Sequence, residues 1–219
     1  MAAPEMSRQA VLERYRLCSE IRRRLQTAAL DLVPDSTLVA QARRLGLVER
    51  GEIVVNDEDE LTLLYDLAVY APAGRRRRAI DRYARSHPAA PGSEEERVLA
   101  ALRASWFSFV RVEGRHPVAG LRLADLLSGN AVWLVDESLE SSAAPGLILA
   151  ARLAPFDPFA ITCGVLVPLG PETLREILDV LGEGRSKEAL VELAKDPRFA
   201  ESVYRIAVEL GLSGAVAYR

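Results

Sequence analysis

The block from Trp106 to Pro168 most constrains the fold, because short apolar runs there interrupt a sequence that is otherwise helical in pattern. The runs are WFSFVRV, GLRLADLL, NAVWLVD, GLILAARL and AITCGVLV, and Gly, Pro or Asn bounds each of them. Short runs separated by turn residues at such intervals are typical of a small β-barrel or sandwich. Neighbouring residues in VWLV are all apolar, so we expect both faces of this sheet to be covered.

The sequence on both sides of this block has helical periodicity. Residues 5–32 contain neither Gly nor Pro, and their apolar residues recur at the spacing of a helix. Four shorter helical patterns follow before residue 104, and Pro171 and Pro197 each open another one. The sequence therefore predicts an α+β chain: an N-terminal helical bundle (1–104), a five-stranded β-barrel-like or sandwich domain (105–169) and a C-terminal helical segment (170–219).

Composition narrows the class of protein without naming a function. A chain of 219 residues with 49% apolar and 27% charged residues is ordinary for a globular protein, and a net charge of −3 gives no general attraction to nucleic acid or anionic membranes. Lys187 and Lys195 are the only lysines among the 28 basic residues, a bias that suggests a GC-rich bacterial genome. Cys18 and Cys163 have no zinc-site spacing, and no segment resembles a signal peptide or a membrane span. We expect a cytoplasmic protein with reduced cysteines and with no metal, cofactor or membrane contact.

The most highly charged segment is RRRRAIDRYAR, residues 75–85, which has six arginines and one aspartate. A helix there would align four arginines on one face: Arg75, Arg78, Arg82 and Arg85. These arginines have three interpretations. They form ion pairs with the acidic runs at 57–60 and 94–96, they bind the phosphates of a nucleic acid or another polyanion, or they bind an acidic protein partner.

A second set of charged residues follows the predicted strands of the β block. It consists of Asp125, Asp136, Glu137 and Glu140. Carboxylates at one end of a sheet are weak candidates for an acid–base pair or a hard-metal site, although such residues more often cap turns or pair with arginines such as Arg122 and Arg152. The chain has only two histidines and contains neither a nucleophile elbow nor an HExxH motif, so no catalytic set is evident.

The β block also resembles a small β domain of uncharacterised bacterial proteins, some of which carry a C-terminal zinc-binding SEC-C motif. The resemblance rests on Leu121, Leu123, Asp125, Leu126, Leu127, Gly129, Asp136, Ser138, Ser141, Gly146, Arg152, Gly164 and Pro168. It implies a compact β domain and no particular activity. The C-terminus of this chain has no cysteine, so the zinc motif is not carried over.

Three functional hypotheses follow. The leading one is a non-catalytic interaction or scaffolding protein that binds a protein partner or itself, because no catalytic set is present. The second is nucleic-acid or polyanion binding through the Arg75–Arg85 helix. The third is an enzyme with a carboxylate site near Asp136.

Overall fold

The computed structural model describes residues 6–72, 74, 76–182, 187–194 and 196–212, and this part of the chain is α+β, as the sequence predicts. The helices that precede the barrel are α1 (Arg8–Leu30), α2 (Asp35–Leu45), α3 (Glu58–Tyr70), α4 (Ala79–Ser86) and α5 (Glu94–Arg103). A short hairpin of β1 (Val48–Glu49) and β2 (Glu52–Ile53) connects α2 to α3.

The predicted β block forms a closed five-stranded barrel. Its strands are β3 (Trp106–Arg115), β4 (Leu121–Asp125), β5 (Ala131–Leu134), β6 (Ile148–Phe156) and β7 (Phe159–Leu169), with the short helix α6 (Glu137–Ser142) between β5 and β6. Around the barrel the order is β3-β4-β5-β7-β6, and all neighbouring strands are antiparallel except β5 and β7. Three helices follow: α7 (Pro171–Gly182), α8 (Lys187–Ala194) and α9 (Pro197–Glu209).

The strands are apolar on both faces because both faces are covered. Along β3, Val110 and Val112 belong to the cluster that fills the barrel interior, where they meet Leu123 of β4. Phe107 and Phe109 belong to the apolar layer between the barrel and the helices. Side chains of a strand alternate between the two faces, so the run of apolar residues in WFSFVRV supplies two separate cores.

Two helical layers cover the outside of the barrel. One joins α1, α4 and α5 to β6 and β7, with Leu25 and Ile161 fully buried in it. The other joins α2, α3, α7 and α9 to β3, β6 and β7, and includes Phe109 and Tyr204. Helix α3 contributes residues to both layers. Apolar packing is therefore continuous from the N-terminal helices through the barrel to the C-terminal helices.

The arginine-rich helix is shorter than the sequence pattern predicts. Helix α4 begins at Ala79 rather than at residue 75, and Arg75 lies outside the described residues. The positive end of the helix dipole lies at the N-terminus, so a row of arginines in the first turn would be unfavourable. The observed first turn instead contains Asp81, the acidic residue that this end of a helix favours.

Gly120 marks the tightest backbone approach in the barrel. It has a φ of +76°, and a Cβ at this position would lie 2.1 Å from the carbonyl oxygen of Leu134. Only glycine allows β4 to start this close to the end of β5.

Candidate functional site

The first candidate site, the carboxylates near Asp136, is engaged in structural contacts. Asp136 is buried and caps α6: its Oδ1 accepts a hydrogen bond from the Leu139 amide at 3.0 Å. Its Oδ2 accepts a hydrogen bond from Thr162 Oγ1 at 3.2 Å. Both oxygens thus have partners that tie α6 to the barrel.

The two glutamates of α6 form ion pairs with the first helix. Arg16 contacts Glu137 at 2.6 Å, and Arg8 contacts Glu140 at 2.8 Å. The hydrogen bond from Arg8 lowers the pKa of Glu140, and the bond from Arg16 does the same for Glu137. These carboxylates remain ionised, and their ion pairs connect α1 to α6 of the barrel domain. Neither carboxylate is in the protonated state that a proton donor requires.

The fourth predicted carboxylate, Asp125, lies apart from the other three. Leu121 pairs with Leu134 at one end of β4, close to Asp136, whereas Asp125 occupies the opposite end of this strand. Asp125 accepts hydrogen bonds from four donors: Ser108 Oγ, Trp106 Nε1 and the amides of Leu127 and Ser128. It organises the turn after β4. In the described residues no group of three His, Cys, Asp or Glu side chains is arranged to hold a metal ion.

The second candidate site, the arginine segment, contains two separate groups. Arg78 stands at the N-cap of α4, where its Nε contacts Asp81 at 2.7 Å and its Nη2 donates to the carbonyl oxygen of Arg103 at 2.8 Å. Arg103 pairs with the same aspartate at 3.0 Å. Arg78 is therefore part of an internal ion-pair network and does not extend the row formed by Arg82 and Arg85.

The other group surrounds an open concavity of about 410 Å³, which we call the arginine concavity. It is lined by Arg76, Arg77, Arg82, Arg85 and Ser86. Arg76, Arg77 and Arg85 are exposed, whereas Arg82 is half-buried. Among the described residues, the concavity thus includes Arg82 and Arg85 of the predicted row together with Arg76 and Arg77, whereas Arg78 pairs with Asp81. The four consecutive arginines in the sequence signal such a cluster, although helical spacing does not select Arg76 and Arg77.

Most residues of the acidic runs expected to neutralise these arginines have other partners, and among the described residues neither run forms an ion pair with the concavity. In the run at 94–96, Glu94 pairs with Arg97, Glu95 pairs with Arg24 at 2.7 Å, and Glu96 accepts a hydrogen bond from the Gly92 amide. In the run at 57–60, Asp57 caps α3 and Glu60 binds the amide and side chain of Asn56.

The four arginines of the concavity consequently lack acidic partners within the described part of the chain. None of them forms an ion pair with a described residue. The Nε of Arg82 is buried and has no hydrogen-bond partner among the described residues. A buried N–H group without an acceptor is costly, so this group favours an acceptor brought by a ligand.

Exposed apolar side chains and the character of the helices distinguish less between the three functional hypotheses. The exposed large apolar side chains in the described residues are Leu17, Val54, Tyr65 and Leu210, which lie on different parts of the chain. Such scattered residues are normal for a protein surface. None of the described helices combines the length and the apolar character needed to cross a membrane.

Comparison with known proteins identifies a family but no function. No curated protein and no solved structure matches the chain significantly. A sequence model of one family, described as a family of unknown function, matches residues 9–207 and so includes the helical layers as well as the barrel. The chain therefore belongs to DUF7986, a family of unknown function.

Proposed function

We propose that the protein binds single-stranded nucleic acid through the phosphates, with the arginine concavity as the binding surface. The observation that carries this proposal is a group of four arginines around one concavity, none of which has an acidic partner among the residues that the structure describes. Guanidinium groups bind phosphate oxygens through paired, charge-assisted hydrogen bonds. The unpartnered Nε of Arg82 adds a donor that a phosphate oxygen would satisfy.

An aromatic pair beside the concavity favours a single strand over free phosphate. Ser86 lines the concavity, and the exposed ring of His87 follows it directly in the chain. The ring of His87 stacks on Tyr83 with 4.7 Å between centroids and 12° between planes. Stacking on an aromatic side chain is the usual way in which unpaired bases are held, and it is available only when the bases are free of a duplex.

The other two hypotheses from the sequence find less support. Each carboxylate of the proposed enzyme site already has hydrogen-bond or ion-pair partners. A protein partner or self-association stays a prediction, as do bacterial origin and a cytoplasmic location. Nucleic-acid binding is compatible with the non-catalytic role that we expect.

Fluorescence polarisation with a labelled single-stranded DNA of ~12 nucleotides tests the proposal. Each phosphate contact on a single strand contributes a salt slope of about 0.7, so about four contacts weaken binding roughly 50-fold between ~50 and ~200 mM salt. Replacing Arg76, Arg77, Arg82 and Arg85 together by alanine should abolish binding at the lower salt concentration.

A matched variant separates this surface from a general charge effect. Arg23, Arg43, Arg115 and Arg198 are exposed and lie outside the concavity, so their replacement by alanine also removes four positive charges. This control should retain most of the affinity. Equal losses in both variants, salt-independent binding or no binding at ~50 mM salt would each contradict the proposal. Tighter binding of duplex DNA or of tripolyphosphate would reassign the ligand.

A further inference from the structure

A second cavity, of about 530 Å³, lies between the open end of the barrel and the helices around it. It has the size of a small-molecule site, and none of the four arginines of the concavity lines it. Its walls include Trp106, Phe107 and Leu127 from the barrel and Val191 and Ala194 from α8. Any ligand here would be independent of nucleic-acid binding.

The cavity contains a buried arginine that is only partly satisfied. The side chain of Arg152 is 9% exposed, and its Nε donates to both oxygens of Asp66, at 2.8 and 3.0 Å. Its two Nη groups hydrogen-bond to none of the described residues, although each Nη carries two donors. Arg152 lines the cavity, so a ligand bound there would be the partner for these donors.

The surroundings of Arg152 hold the guanidinium in place. Tyr204 donates a hydrogen bond to Asp66 Oδ2 at 2.8 Å, which orients this carboxylate. The Arg152 guanidinium lies 4.8 Å from the ring centroid of Tyr70 and 5.8 Å from that of Phe107. Burial lowers the pKa of Arg152, but the charge and hydrogen bonds of Asp66, together with Tyr204 and Cys163, raise it by more, so the group stays protonated. A preorganised guanidinium loses little entropy when it binds a planar anion.

A second unsatisfied donor lines the same cavity. The hydroxyl oxygen of Ser105 is buried and has no hydrogen-bond partner among the described residues. A buried hydroxyl without a described partner and a guanidinium with unused Nη donors in one cavity indicate a polar ligand group more strongly than either does alone.

We infer that this cavity binds a small organic carboxylate, whose carboxylate group pairs with the Nη donors of Arg152 and whose apolar body lies against Trp106 and Phe107. A carboxylate matches the two parallel donors of a guanidinium, and the apolar walls suit an aromatic or aliphatic body. Arg78 also lines the cavity but is paired with Asp81, whereas Asp125 and Asp196 add negative charge to the lining, so a single negative charge is preferred to the double charge of a phosphate monoester.

Trp106 provides a local reporter for the test. The chain has two tryptophans, so Trp133→Phe leaves Trp106 as the only one. In this background we would titrate benzoate and 3-phenylpropionate, the corresponding neutral amides, and phenyl phosphate, following Trp106 fluorescence and confirming affinities by calorimetry. At least one acid should bind saturably and about tenfold or more tightly than its amide, because the amide carries no charge for Arg152.

Three variants connect this binding to the cavity. Arg152→Lys keeps a positive charge beside Asp66 but loses the paired donors, and should weaken acid binding about tenfold or more. Ser105→Ala should weaken it about two- to tenfold, the contribution of one neutral hydrogen bond. Ala194→Phe fills the cavity from α8 and should abolish binding, whereas Ala90→Phe, at an exposed loop position, should not.

Several results would overturn the inference. They are equal affinity for an acid and its amide, tighter binding of phenyl phosphate, full binding by Ala194→Phe, and no saturable binding of either acid up to ~10 mM. If Arg152→Lys does not fold, the Ala194→Phe variant still decides the location, because it leaves the Asp66–Arg152 pair intact.

Discussion

Removing the charge of Asp66 should destabilise the protein far more than breaking a surface ion pair. Asp66→Asn keeps the shape of the side chain but leaves the guanidinium of Arg152 buried without a counter-charge. The side chains of this pair are 2% and 9% exposed, so solvent cannot replace the lost partner. Breaking a buried pair on one side costs about 3–5 kcal/mol. For a chain of this size about 1 kcal/mol corresponds to roughly 2–4 °C, so the Tm should fall by about 6–20 °C.

Urea unfolding followed by circular dichroism, together with calorimetry, measures this loss. The control is Arg16→Gln, which breaks a pair whose side chains are 62% and 36% exposed and should cost less than about 1 kcal/mol. Replacing the network by apolar residues, with Asp66→Leu, Arg152→Met and Tyr204→Phe combined, should recover most of the stability because no uncompensated charge remains. A loss of stability on Asp66→Asn no larger than that on Arg16→Gln, or a triple variant less stable than Asp66→Asn, would show that the buried charge of Arg152 does not need Asp66.

Three further predictions concern the barrel. Gly120→Ala should lower the free energy of unfolding in urea by more than about 3 kcal/mol, because its Cβ would clash with the carbonyl of Leu134. A decrease below about 1 kcal/mol would contradict the observed backbone approach. Burial raises the pKa of Cys163 to about 11, so iodoacetamide at pH 8 should label this thiol only after unfolding, and rapid labelling of the native protein would show that it is accessible. Asp136→Ala removes the cap of α6 and the bond from Thr162, and should lower stability by about 2 kcal/mol without changing nucleic-acid affinity. An Asp136 variant that loses a biochemical activity at unchanged stability would instead support the enzyme hypothesis.

The position of the β domain and the covering of both its faces are predictable because local sequence carries this information. Apolar neighbours in VWLV indicate a sheet covered on both sides, and Trp133 indeed packs outward while Leu134 packs into the barrel. Closure into a barrel depends on pairing between β3 and β6, whose residues Trp106 and Leu153 are distant in sequence. Periodicity contains no information about such pairing, so barrel and sandwich could not be separated from the sequence.

The candidate sites were less predictable, because they depend on contacts between distant elements. Arg152 was expected to pair with a carboxylate of the β block, yet it pairs with Asp66 of α3, 86 residues away. The local signal for this pair is the single aspartate inside the apolar run LLYDLAVY, since a charged residue there needs a buried partner. In the arginine segment, the residue at which the helix begins determines which side chains lie together. The helix begins at Ala79, because the helix dipole disfavours the positive charges of Arg78 and its neighbours in the first turn.

The one parallel contact in the barrel has a consequence for its motions. β5 and β7 are matched at a single residue pair, Leu134 with Ala160, and the Val135 amide adds a hydrogen bond to the Ala160 carbonyl at 2.9 Å. By contrast, β6 and β7 pair along most of their length. Separating β5 from β7 therefore breaks few hydrogen bonds and leaves every other ladder intact. In native-state hydrogen exchange the β5–β7 contact should open at a lower free energy than the β6–β7 ladder. The barrel can therefore open locally between β5 and β7 without unfolding globally.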